Sequence, residues 1–210
     1  MRVVEPARDA PPGIILAGGQ SRRMGDGDKF LRSLRGQPIL RWVIDAVRPQ
    51  TSALVLNANG DLTRLTSFGL PIMADDPPGQ LGPLAGIATG LRWAAARDDY
   101  LAVFAADTPF PPDDLVHRLA TALQAEDAQI AVPVSLGRQH GVFGLWRTSL
   151  RNELERAVIE DGCRKVGHFL AAHRVALVPF EAEPFDPFFN INRREDLLHA
   201  EDLAAHFQSS

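Results

Sequence analysis

The sequence predicts an α/β protein: a mostly parallel sheet with helices on both faces and an antiparallel addition in the C-terminal half. Short apolar runs alternate with segments of helical period through residues 13–130, the pattern of strand, crossover helix and parallel strand. Those runs end in glycine-rich or carboxylate-bearing turns rather than in further apolar residues. Two later runs, 130–134 and 142–146, are separated by the turn-like Ser135-Leu-Gly-Arg138 and read as an antiparallel pair.

Residues 13–17 form the first expected strand and lead into Leu16-Ala-Gly-Gly-Gln-Ser-Arg-Arg-Met-Gly-Asp-Gly-Asp-Lys29. In residues 38–47, Ile39, Leu40, Val43, Ile44 and Val47 fall on one helical face, with Pro38 suited to a first turn and Pro49 ending the segment. Residues 53–58 read as a buried strand and 70–74 as a shorter one; both run into turn chemistry, at 57–60 and 75–79. Gly82-Pro-Leu-Ala-Gly86 opens a helix carrying Leu84, Ile87, Leu91 and Ala95 at helical spacing. Residues 100–106 are the strongest strand and end on Asp107. Pro112 and Asp113 start a helix whose Leu115, Leu119 and Leu123 face inward. Residues 148–159 and 165–172 read as helices, 175–180 as a strand and 194–207 as a closing helix.

Composition narrows the function. Of 210 residues, 45% are hydrophobic, enough for a real core, and the formal net charge of −4 disfavours a general nucleic-acid surface. Residues 1–12 interleave Arg2, Glu5, Arg8 and Asp9 with prolines, so no secretory apolar core is expected there. They are read as a flexible tail ahead of one domain, 13–210. No apolar run approaches the roughly 18 residues that span a bilayer, and the lone Cys163 cannot form an intrachain disulfide. A cytoplasmic enzyme without membrane attachment is the expectation, with Cys163 a bystander.

In an open α/β sheet, groups that end successive strands converge in the crevice at their carboxyl ends. Here those groups are the loop after residue 16, Asn57, Asp75 and Asp107. Gly18 and Gly19 let backbone amides face an anion, and Arg22, Arg23 and Lys29 add charge. Asn57 offers a donor and an acceptor to a base, Asp75 accepts from a base or ribose, and Asp107 suits a hard cation. The loop has neither P-loop nor dinucleotide-fingerprint spacing. A nucleotide gripped by loop amides, Lys29 and a metal on Asp107 is instead arranged for attack at its α-phosphorus, with pyrophosphate leaving.

The loop resembles the Leu-Ala-Gly-Gly-x-Ser-x-Arg-Met-Gly…Asp-Lys signature of the molybdenum cofactor guanylyltransferases, within the nucleotidyltransferase superfamily. The likeness extends in order through Asn57-Ala-Asn59, Asp75, Gly82-Pro-Leu-Ala-Gly86, Asp107-Thr-Pro109 and Asn190-Ile-Asn192. It implies a Rossmann-like three-layer sandwich that transfers GMP from Mg-GTP to the terminal phosphate of molybdopterin. By position, it implies backbone contacts to nucleotide from Leu16, Ala17 and Gly18, phosphate neutralisation by Lys29, guanosine contacts by Asn57 and Asp75, and Mg²⁺ (or Mn²⁺) with nucleotide on Asp107. Lys29 and Asp107 would be the catalytic pair. Asn190, Asn192, Arg164 and Lys165 become candidates for the pterin side. Proteins that donate or receive the cofactor are the further partners it implies. The likeness departs at Gly141, where the family often has proline after the residue matching His140. The alternatives within the superfamily are a molybdopterin cytidylyltransferase, against which Gly18 and Gly82-Pro83-Leu84 favour guanine, and another small-molecule nucleotidyltransferase such as a sugar-phosphate enzyme, which typically has a longer chain than these 210 residues. A non-catalytic GTP-binding adaptor is the alternative of another class, against which Lys29 and Asp107 argue.

Overall fold

Alternation along the first strand sets the layers of the molecule. The computed structural model describes residues 9–18, 28–76, 78–79 and 81–207, without the side chains of 206 and 207. Strand β1 (Gly13–Leu16) buries Ile14 in one hydrophobic layer and Ile15 in the other, as a strand covered on both faces must. Ahead of it, the Pro11 and Pro12 carbonyls accept from Ser52 and Ala102, so the sheet's hydrogen bonding begins before residue 13.

Beyond β1 come a small hairpin of β2 (Ser33–Leu34) and β3 (Gln37–Pro38), helix α1 (Ile39–Val47), β4 (Leu54–Asn57), β5 (Ile72–Met73), α2 (Pro83–Ala94) and β6 (Tyr100–Ala105). The second half carries α3 (Leu115–Ala125), β7 (Ile130–Ser135), β8 (Arg138–Gln139), β9 (Gly144–Arg147), α4 (Arg151–Ile159), α5 (Val166–Leu170), β10 (Val175–Pro179) and α6 (Arg194–Phe207). The eight-stranded sheet runs β10-β7-β9-β6-β1-β4-β5, with β8 added on β7. Strand β9 is antiparallel to both neighbours, and β8 is antiparallel to β7; the remaining pairings in this sheet are parallel.

Helices α1 and α3 cover the Ile15 face, and α2, α4 and α5 cover the Ile14 face. Helix α1 has no side-chain cap but buries Ile39, Leu40, Val43, Ile44 and Val47. Each such side chain contributes about 1.5–3 kcal/mol on burial, so packing rather than capping holds it. A third cluster joins α6 to the hairpin through Leu34, Ile39, Phe110, Ile191, Ala200 and Ala204.

Most elements coincide with expectation, and the differences have local causes. Strand β9 starts at Gly144 because Phe143 N–H closes a turn onto the His140 carbonyl at 2.8 Å. The segment 148–159 divides into a 3-10 turn, Thr148–Leu150, and α4; the segment 165–172 is helical only over Val166–Leu170. In α2 it is Ala94, not Ala95, that is buried. The β2–β3 hairpin and the 3-10 segment Leu62–Phe68 lack a hydrophobic period and are not predicted from pattern. Among the described residues, no helix is long and apolar enough to cross a membrane.

Candidate active site

Chain connections leave β1 toward β4 and β5 but leave β6 toward the opposite edge, so β1 and β6 flank the point where strand order reverses. The crevice at that point is where an open α/β sheet binds ligands. Leu16 and Ala105 are paired in register there, and Ala106 N–H continues the ladder onto the Leu16 carbonyl at 3.2 Å. Asp107 therefore stands beside the start of the glycine-rich loop.

On the β4 side, the strand ends are cross-linked by amides. Buried Asn57 donates from Nδ2 to Asp75 Oδ1 at 2.8 Å and to the Met73 carbonyl at 3.2 Å. Asn59 donates from Nδ2 to Asp75 Oδ2 at 2.7 Å, while its Oδ1 accepts from Asp75 N–H at 2.9 Å. The carboxylate of Asp75 is thus fixed in orientation by two amides, ready to present its remaining lone pairs. Arg64 extends the network: its Nε contacts Asp28 Oδ2 and its Nη2 donates to the Asn59 carbonyl at 3.2 Å. The residue before Lys29 is thereby tied to the Asn59–Asp75 pair.

Helix α2 presses on the same corner. Its N-terminal Gly82 has φ +78°, a left-handed value that favours glycine, with Pro83 following at the first helical position. A Cβ on Gly86 would fall 2.3 Å from Asn57 Oδ1 and 2.9 Å from Leu16 Cδ2. The glycine spacing of residues 82–86 therefore supplies first a turn and then a close approach.

On the β6 side, Lys29 Nζ lies between two oxygens, contacting Asp107 Oδ2 and donating to Asn192 Oδ1 at 2.7 Å. Thr108, fully buried, donates from Oγ1 to Asn190 Oδ1 at 2.8 Å, and Ile191 N–H donates to the Asp107 carbonyl at 2.9 Å. Residues 186–192 thus form a strap laid against the end of β6. Asp196 holds its far end by accepting from Asn192 N–H and Arg193 N–H, both at 2.8 Å.

Lys29, Asn190 and Asn192 gather around Asp107 and Thr108, and Asn57 and Asp75 are hydrogen-bonded to each other. Ala17 N–H bonds the Asn57 carbonyl at 2.8 Å, so the first amide beyond the ladder is that of Gly18. A Cβ on Gly18 would meet nothing within 4 Å among the described residues. Gly19, Arg22 and Arg23 lie outside the described residues. Arg164 turns its Nη1 onto the carbonyls of Val158 at 2.7 Å and Cys163 at 3.0 Å, and Lys165 is exposed at the start of α5. His140 is buried: its Nε2 is 2.7 Å from Ser135 Oγ and its ring stacks on Phe188. Burial lowers its pKa below the ordinary histidine value; the Asp186 carboxylate pulls the other way and Arg138 adds to the lowering. Gly141 is explained by α5, since a Cβ there would lie 2.9 Å from Val166 Cγ1.

Arg64, Ser135 and Asp186 join these networks without any sequence motif to announce them. Asn59 had a signal in Asn57-Ala-Asn59, because alternate residues leaving a strand end point to one side.

The MobA-like NTP transferase domain model matches residues 13–176. A molybdenum cofactor guanylyltransferase of Bradyrhizobium sp. (strain ORS 278) is 48% identical over 93% of this chain and 94% of its own length. A protein of the same name from Nitrobacter hamburgensis is 47% identical over 94% of this chain and 97% of its own. Among solved structures, the molybdopterin-guanine dinucleotide biosynthesis protein A of Archaeoglobus fulgidus superposes with a TM-score of 0.75 at 26% identity, covering 93% of this chain and 99% of that one. The strand-order reversal, the carboxylates and amides at the strand ends, and these likenesses agree: the chain belongs to the MobA-like NTP transferase family.

Proposed function

We propose that this protein transfers the GMP unit of GTP to the terminal phosphate of molybdopterin and releases pyrophosphate. The observation that carries the reading is the Lys29 ammonium held between Asp107 and Asn192 at the point where strand order reverses. The curated relatives carry the name molybdenum cofactor guanylyltransferase along nearly their whole length.

An oxygen of the acceptor phosphate forms a bond to the α-phosphorus as the bond from that phosphorus to the bridging oxygen of pyrophosphate breaks. Such chemistry needs positioning and charge neutralisation rather than a nucleophilic side chain, and Cys163 has no part in it. Asn57 and Asp75 orient the guanosine, the Gly18 amide faces phosphate, and Lys29 balances the charge that develops on the leaving oxygens. Among the described residues no group of three or more His, Cys, Asp or Glu is arranged to hold a metal ion. The Asp107 carboxylate beside Lys29 fits Mg²⁺, which commonly takes one or two carboxylates and completes its shell with phosphate oxygens and water. Asp107 is the residue that would hold it, and there it would supply Lewis-acid stabilisation of the phosphoryl oxygens. We assign the work to the cytoplasm, with proteins that supply and receive the pterin as partners.

The test is pyrophosphate release and product mass with molybdopterin and either GTP or CTP. Turnover with GTP and little with CTP is expected. Preference for CTP would overturn the guanine assignment, and nucleotide binding without pyrophosphate release would overturn the enzyme reading in favour of an adaptor.

A further inference from the structure

A polar chain, buried at Ser135 and His140 and half-buried at Asp186, ends on the first residue of the strap. Asp186 Oδ1 lies 2.7 Å from Ser135 Oγ and accepts from Phe188 N–H at 3.0 Å. A carboxylate only accepts, so the single proton of the serine hydroxyl points at Asp186, and His140 Nε2–H must donate to Ser135 Oγ across 2.7 Å. The order is histidine to serine to aspartate. A serine that gives its proton to a carboxylate and receives one from histidine is not an activated nucleophile, which removes the hydrolase reading of these three residue types.

The chain has a mechanical sense instead. Ser135 is 2% exposed and His140 8%, and Phe188, 2% exposed, is packed by His140, Phe143 and Phe180. The end of β7 therefore fixes the corner at 186–188, and four residues further on the strap delivers Asn190 to Thr108 and Asn192 to Lys29. Residues 186–192 follow β10, which pairs with β7 at the edge opposite to β4 and β5. The nucleotide-binding candidates Asn57 and Asp75 lie on the β4 side. The strap therefore reaches the site from the side opposite to those candidates.

We propose that Ser135, His140 and Asp186 are positioning residues that latch the strap so that Asn190 meets the acceptor phosphate and Asn192 holds Lys29 Nζ. This rests on the guanylyltransferase reading for the identity of the acceptor. With its Oδ1 engaged by Thr108, Asn190 offers the two amide hydrogens, which are donors suited to a phosphate oxygen.

The experiment measures kcat, both KM values and the thermal midpoint for Ser135→Ala, Asp186→Ala, Asp186→Asn and Asn190→Ala, and for the double variant Ser135→Ala/Asn190→Ala. Ser135→Ala and Asp186→Ala should raise KM for molybdopterin about tenfold or more, since a misplacement near 1 Å can cost up to about a hundredfold. KM for GTP should stay within about twofold by the same reasoning. Asp186→Asn keeps an acceptor oxygen for both donors and should rescue most of the loss. If Ser135 acts on the acceptor through the strap, KM for molybdopterin in the double variant should rise no further than in Asn190→Ala alone, while kcat falls further because Asn192 no longer holds Lys29; should Ser135→Ala not fold, Asp186→Ala enters the same cycle. A lowered thermal midpoint with unchanged KM values, or molybdopterin KM losses that multiply in the double variant, would overturn the latch while an active wild type keeps the guanylyltransferase reading. A wild type that makes no guanylylated product overturns both.

Discussion

Gly86→Ala isolates the contact between α2 and the base-side pair. The new methyl would sit 2.3 Å from Asn57 Oδ1 and 2.9 Å from Leu16 Cδ2, so either the helix moves or Asn57 rotates. Rotation breaks the buried hydrogen bond to Asp75, a bond to a charged group that contributes about 1.5–3 kcal/mol. Overpacking adds about 1–3 kcal/mol, and the better helix propensity of alanine returns about 1 kcal/mol. The net expectation is a destabilisation of about 1.5–5 kcal/mol. Gly90→Ala is the matched control: its Cβ meets Leu101 Cδ2 at 2.8 Å and Ile14 Cδ1 at 2.9 Å, the ends of aliphatic side chains away from the site. Both variants should unfold at lower denaturant. Only Gly86→Ala should weaken GTP binding in a calorimetric titration, by about tenfold for each 1.4 kcal/mol of lost Asn57–Asp75 alignment. Equal GTP affinities in the two variants would refute the assignment of Asn57 and Asp75 to the nucleotide.

Other perturbations address the remaining parts. Asp107→Ala should abolish metal-dependent pyrophosphate release, and an unchanged rate would remove Asp107 from the site. Arg64→Ala strips Asp28 of its partner and Asn59 of a donor; a loss of about 1–3 kcal/mol in chemical denaturation should be accompanied by a raised KM for GTP. The lowered pKa of His140 carries a sign. As pH falls below the ordinary histidine value the unfolded chain takes up a proton that the buried ring declines, so stability decreases across the window between the unfolded and the lower folded pKa. His140→Gln should flatten that part of a stability-versus-pH curve; an unaltered slope in denaturation series between pH 7 and pH 5 would contradict this.

The strands, their alternation and the groups at their ends are legible because each depends on local pattern. Ile14 and Ile15 divide between two layers because adjacent residues of a strand face opposite ways. Asp107 stands out because a carboxylate directly after the seven-residue run 100–106 is chemically conspicuous. The contacts that complete the site obey no such period. Asp28 meets Arg64, and Ser135 meets Asp186, through loop geometry at separations of 36 and 51 residues. Nothing near either sequence position indicates which distant charge it will meet. Gly86 lies between these cases: its spacing is readable, but its close approach to Asn57 follows only from the packing of α2 across the sheet.

The strap also bears on the order in which the protein can become competent. Lys29 and Asn192 are 163 residues apart, and Thr108 and Asn190 are 82 apart. By the time β10 has been synthesised every strand of the large sheet exists, yet the groups that hold Lys29 and Thr108 on their outer side have not been made. Until residues 190–192 exist, a growing chain can hold the base-side pair but not a complete reaction centre. Joining the two substrates is thereby tied to completion of the C-terminal segment.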